Sequence, residues 1–190
     1  MAYTPLALAN TFVAHHGGVA GISHMKLQKL AFYAYGWWLA YHDQPILTEP
    51  PEVWKFGPVF ESLYSALRPF GSTPVVRPVA PPAGDPPMIP QTDANTLAWV
   101  DWVWNRYGHL SALQLSDMTH EVGTPWQIEA QAKQYRVPRH HAIPDATTKR
   151  YFQGLAADLK MRLIARRLKS QGTQTLAKRS GHSSRFAAKS

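Results

Sequence analysis

The chain has 190 residues, 45% of them hydrophobic and 12% aromatic, and no cysteine. That is one domain's length with enough apolar side chains for a core, which excludes disorder for most of it; the missing cysteine excludes disulfides, thiolate metal sites and cysteine nucleophiles. The net charge of +8 is uneven: residues 1–158 hold 11 Lys and Arg against 12 Asp and Glu, whereas residues 159–190 hold nine Lys and Arg and no acid.

Thr4 and Pro5 predict the cap and first residue of a helix that Gly17-Gly18 stops, with Leu6, Ala9, Phe12 and Val13 on one face. Ser23 caps a second helix that runs to about His42, where Pro45 ends it. After Lys29 this helix is apolar nearly all round, so it belongs at the centre of a helical assembly. Gly36 inside it is expected to admit a neighbouring backbone. Ile46-Leu47 and Val53-Trp54-Lys55-Phe56 predict a small two-stranded ribbon or an extended segment. Gly57-Pro58-Val59 then opens a third helix with Pro58 in its first turn, carrying Val59, Leu63 and Leu67 and ending near Pro69-Phe70-Gly71.

Residues 74–90 hold seven prolines, which forbid a helix or a central strand and predict an extended surface insertion. A fourth helix runs from near Asp93 to Tyr107, with Leu97, Val100, Trp104 and Tyr107 as its stripe and Gly108 as its stop. Ser111 caps a fifth, ending about Glu121. Gly123-Thr124-Pro125-Trp126 turns into a short sixth. Asp145 caps the last, with Phe152, Leu155, Leu159 and Leu163 on its apolar face. The expected fold is mainly α: a compact irregular helical domain with a small β-ribbon or extended segment, plus a flexible basic C-terminal tail. The expected division is residues 1–158 and 159–190.

No stretch is apolar for long enough to predict a transmembrane helix, and the start lacks the basic segment ahead of an apolar run that a secretory signal needs. A cytoplasmic protein is expected. His120-Glu121 begins like a zinc-protease motif, but Thr124 stands where the second histidine ligand belongs. His15-His16 and His140-His141 are adjacent pairs, which by themselves form no chelate and predict surface or helix-end histidines. Asp101 and Asp117 are not forced onto a shared site by their spacing. Phosphate-loop, dinucleotide and nucleophile-elbow motifs are missing. No catalytic, cofactor or metal site is expected, and the chain is not expected to be an enzyme. The seven tryptophans predict core packing. Trp99, Trp102 and Trp104 cannot share one helix face, and an exposed one would mark a protein-binding hot spot.

Three blocks carry a resemblance. The first is Lys26-Leu27-Gln28-Lys29-Leu30 with Tyr33; the second is Trp54-Lys55-Phe56-Gly57-Pro58-Val59 with Tyr64; the third is Leu115-Ser116 through Thr119-His120, then Gly123-Thr124-Pro125-Trp126. Together they resemble the Panacea-domain antitoxin family of SocA-like and phage-associated GepA-like proteins, over roughly residues 5–155. The proline-rich segment and the basic end depart from it. The resemblance implies an antitoxin that neutralises a cognate toxin by direct protein–protein contact. Two alternatives are an adaptor delivering a toxin to a ClpXP-type protease and a nucleic-acid-binding regulator acting weakly through the basic tail.

Its motif positions, structural or partner-binding, are Lys26, Gln28, Lys29, Tyr33, Trp54, Gly57, Pro58, Tyr64, Thr119, His120, Pro125 and Trp126. Charged and amide groups at the opening of a buried helix must be paired or must face a partner, which singles out Lys26, Gln28 and Lys29. Thr119 and His120 predict a hydrogen-bonded corner near Pro125-Trp126, or a contact site. Gly57 and Pro58 are expected to set a turn and a helix start.

Overall fold

Helices begin where the capping side chains put them. In a computed structural model of the chain, whose described residues are 2–161, α1 (Pro5–His16) starts behind Thr4 and α2 (His24–His42) behind Ser23. Asp93 caps α4 (Ala94–Tyr107), Ser111 and Gln114 form a reciprocal capping box on α5 (Ala112–His120), and Thr124 caps α6 (Pro125–Ala132). Each cap accepts from a first-turn amide that has no partner within the helix, which contributes roughly 1 kcal/mol. Between them, α3 (Glu61–Leu67) runs on into a single 3-10 turn, Arg68–Phe70. A last helix, α7, occupies residues 145–161. Residues up to Phe152 form one compact unit. Residues 153–161 continue α7; Leu155 and Leu159 there are only partly buried. Leu163 and the basic end lie outside the described residues. Among the described residues, no helix is long and apolar enough to cross a membrane.

Helix α2 is the centre, as its all-round apolar character requires. Every residue from Leu27 to Trp37 is buried, and α2 packs on α1, α3, α4, α5 and the small sheet. Gly36 does serve a close approach, but to an aromatic ring and not to a backbone. A Cβ there would lie 2.0 Å from Cε2 of Phe152. The helix ends at Asp43, in the left-handed conformation with φ 59°, two residues before Pro45.

Four local expectations are corrected. Gly57-Pro58-Val59 opens no helix. It is strand β2 (Gly57–Val59), paired antiparallel with β1 (Glu52–Trp54) so that Trp54 faces Gly57 and Val53 faces Pro58. Gly57 takes φ +96° to turn the chain, and Pro58, having no N–H, is tolerated on an edge strand. Helix α3 starts only after Phe60, which has no side-chain cap of its own. Second, Ile46-Leu47 joins no ribbon with residues 53–56; it pairs with Tyr3, whose amide donates to the Ile46 carbonyl at 2.8 Å. The free edge of β1 is instead taken by the segment before α7, with Val53 donating to His141 and Ile143 to Pro51.

Third, the buried face of α4 is Thr96, Val100, Val103 and Tyr107. Trp104 lies to its side, where His16 stacks on it at 4.7 Å. Fourth, Asp145 lies inside the first turn of α7. The carbonyl of Pro144 accepts from Thr147 and Thr148, while the Asp145 carboxylate takes the hydroxyl of Tyr35.

The proline-rich segment forms no helix and no strand, and it is more than a surface insertion. Asn10 of α1 is 1% exposed and grips it three times: its amide donates to the carbonyls of Val79 and Pro87 and accepts from the Val79 amide. The hydroxyl of buried Thr11 accepts from the Ile89 amide. Two polar groups on an otherwise apolar helix face are thereby satisfied, and Val75 and Ile89 join the core.

Candidate functional site

The hairpin turn between β1 and β2 is held by its carbonyls. Every strand end leaves backbone oxygens without ladder partners, and here four neighbouring ones face a side chain from a surrounding helix. Trp126 of α6 donates its indole N–H to the Trp54 carbonyl at 2.8 Å. Nε2 of His120 lies 3.4 Å from the Lys55 carbonyl. Ser116 of α5 donates to Phe56 at 3.1 Å, and the side-chain nitrogen of Lys29 in α2 donates to Pro58 at 3.0 Å. The result is a turn whose backbone is fixed from three helices while its tip side chain, Phe56, stays 62% exposed.

The remaining motif residues support that arrangement. Gln28 is buried, and its carboxamide clasps the backbone of Phe60: it donates to the Phe60 carbonyl at 3.1 Å and accepts from the Phe60 amide at 2.9 Å. The first turn of α3 is met separately: the Glu49 carboxylate accepts from the Ser62 amide at 3.1 Å. Lys26 donates to the Gly108 carbonyl at 2.6 Å, neutralising the C-terminal end of α4. Tyr33 stacks on Tyr107 at 4.2 Å in the core. Tyr64 packs between Trp54 and His24. Pro125 occupies the first turn of α6, and the Thr119 carbonyl accepts from the hydroxyl of Thr124, the α6 cap. The Thr119 hydroxyl donates to Ser116, and His120 Nδ1 sits 2.8 Å from the same carbonyl, its ring 4.0 Å from Trp126. The expected hydrogen-bonded corner is there.

Electrostatically the site is marked by Lys29. It is 1% exposed, and burial pushes its pKa down to about 7. A Cβ on Gly57 would lie 2.7 Å from its nitrogen and 2.5 Å from the Thr119 hydroxyl, so the two groups close over the glycine. His24, whose pKa burial also lowers, has an Nε2 without a hydrogen-bond partner. A cleft of about 380 Å³ lies there, lined by Met25, Trp54, Phe56 and Tyr64 among others. A second cleft, of about 400 Å³, borders Trp54 and Lys55 together with Val137 and His140.

The three motif blocks, up to about 100 residues apart, therefore converge on one hairpin. Antitoxin SocA-like, Panacea domain, is the family profile that matches, over residues 27–127. The chain belongs to this family. Antitoxin SocA of Caulobacter vibrioides (strain NA1000 / CB15N) is a relative, 29% identical over 113 residues, which are 57% of this chain and 60% of that protein. The chain thus matches less than two thirds of that relative's length. No solved structure matches it. The matched Panacea-domain segment begins inside α2 and ends inside α6, and so contains the hairpin together with Lys29, Ser116, His120 and Trp126, which face its carbonyls.

Two residues of the Panacea-domain site escape a motif reading. Ser116 is one polar residue among several in its block, and only the fold shows that it meets the Phe56 carbonyl. Phe56 reads as one more β-prone aromatic, and only the turn geometry leaves it outside. The tryptophans do not supply an exposed anchor: Trp37 and Trp126 are buried and the other five partly buried. Of the histidine pairs, His140 and His141 lie beside Glu52 and Glu129, with His140 on the second cleft, and His15 and His16 lie beside Asp101.

Proposed function

We propose that this Panacea-domain protein is an antitoxin that neutralises a cognate toxin by direct protein–protein binding, and that the hairpin tip is its main contact. The single observation that carries this reading is the exposed Phe56 on a turn whose four carbonyls are each faced by a helix side chain. Holding a large apolar side chain in water has no benefit to the isolated fold. Holding it rigidly lowers the ordering cost when a partner covers it. Aromatic anchors of this kind typically lose about 2 kcal/mol or more of binding when truncated. The clefts on either side of Trp54 and Lys55 offer room for partner side chains. The motif side chains face backbone carbonyls, which favours a presenting surface over a reaction centre.

Co-expression with the toxin encoded beside the gene tests the reading. The native chain restores growth and co-purifies with an intact toxin of unchanged half-life. Phe56→Asp loses both, while Val19→Asp, at a fully exposed position in the loop between α1 and α2, keeps both. A toxin that is neutralised equally by Phe56→Asp overturns the hairpin contact. A toxin whose half-life collapses in the presence of the native chain replaces direct neutralisation with delivery to a protease.

A further inference from the structure

Adjacent histidines on one helix do not make a chelate, because their side chains diverge by about a quarter turn or more. Here the divergence is closed by a third group from another helix. His15 and His16 form the last turn of α1, and Asp101 stands mid-way along α4. The Asp101 Oδ1 lies 2.9 Å from Nε2 of His16 and 3.8 Å from Nδ1 of His15. All three candidate ligand atoms fall within 4.8 Å of one another. A tetrahedral zinc ion with bonds of about 2.0–2.1 Å spaces its ligand atoms about 3.3 Å apart. The two distances to Asp101 bracket that spacing.

We propose that His15, His16 and Asp101 form a binding site for a divalent transition-metal ion of the zinc class. The donor set is two imidazoles and one carboxylate, which suits zinc and its neighbours and disfavours magnesium and calcium, whose ligands are oxygens. The His16 ring is already positioned: it stacks on Trp104 at 4.7 Å with the planes 6° apart. Its Nε2 already faces the Asp101 carboxylate at 2.9 Å. A metal ion bound here would lie between that nitrogen and that oxygen, with His15 as the third ligand. Asp101 is half exposed, with 51% of its side chain in solvent, so an ion can enter and a fourth coordination position stays open. Three ligands and an open position distinguish the site from a closed structural zinc centre. Its ligands come from α1 and α4, so the ion ties the end of the first helix to the middle of the fourth.

The test is calorimetric titration of zinc chloride into the full-length protein, compared with His15→Ala, Asp101→Asn and a control, His109→Ala, which changes an exposed histidine outside the cluster. The expected result is one tight zinc per native chain, unchanged in the control and weakened about 10-fold or more in each ligand variant. Zinc should also raise the melting temperature of the native chain and not of the ligand variants. His15 and Asp101 lie at the surface, so circular dichroism of the metal-free variants should match the native protein. No zinc binding by the native chain overturns the proposal. So does zinc binding that both ligand variants retain, since other histidines would then hold the ion. Neither result bears on the hairpin reading.

Discussion

The side-chain nitrogen of Lys29 donates to the carbonyl oxygen of Pro58 across the junction of α2 and β2, 3.0 Å apart and closed off from solvent. Burial lowers the Lys29 pKa from 10.5 to about 7. Below about pH 7 the lysine is charged in both folded and unfolded chains, and the cost of burying that charge is fully present. Between about 7 and 10.5 the unfolded chain binds more protons, so stability rises with pH, by at most about 1.4 kcal/mol per unit from this group. Urea denaturation from pH 7 to 10 should show the native chain gaining stability relative to Lys29→Met. Parallel curves for the two proteins would show that Lys29 does not titrate in this window.

Gly36→Ala separates helix propensity from packing. In an exposed helix the change would stabilise by about 1 kcal/mol. Here the new methyl meets the Phe152 ring at 2.0–2.5 Å, so the expected change is a loss of about 1–3 kcal/mol from overpacking. A thermal melt decides the sign.

Gln28→Leu removes both hydrogen bonds to the Phe60 backbone. Leaving a buried backbone group unpaired costs about 1–3 kcal/mol. The loss should be visible in global stability and as faster hydrogen exchange at the Phe60 amide, whose hydrogen bond is made to Gln28.

Asn10→Ala frees the proline-rich segment at Val79 and Pro87. Protease cleavage between residues 79 and 87 should then accelerate well before the rest of the chain is cut. Unchanged cleavage would mean that Val75 and Ile89 alone hold the segment in place.

Phe56→Asp should leave the melting temperature of the isolated protein nearly unchanged, since exposed substitutions usually stay within about 0.5 kcal/mol. A large drop would mean that the ring packs more than its 62% exposure indicates, and would remove the separation between stability and binding on which its use as a contact probe depends.

The correspondence between sequence and structure follows the range of the forces involved. Thr4, Ser23, Asp93, Ser111 and Thr124 each act on an amide three residues ahead, so helix starts could be read directly. Pro58 shows the limit. Its missing N–H suits the first turn of a helix and an edge strand equally well; in the fold Pro58 lies on the strand, paired with Val53, with Lys29 on its carbonyl and Gln28 on the Phe60 backbone beyond it. On α4 the expected stripe shares Val100 and Tyr107 with the buried face, but Trp104 lies to the side, where His16 stacks on it and Lys26 approaches its ring.

By itself, the amino-acid sequence determined the starts of α1, α2, α4, α5 and α6, the central place of α2, the mainly helical class and the family motifs, because caps, periodicity and residue type act over a few neighbouring positions. Only the tertiary structure decided that four hairpin carbonyls meet Lys29, Ser116, His120 and Trp126, that Phe56 is left outside, and that Asp101 comes to His15 and His16. Those relationships join groups tens of residues apart, and their partners are chosen by packing against a shared core, which no local pattern encodes.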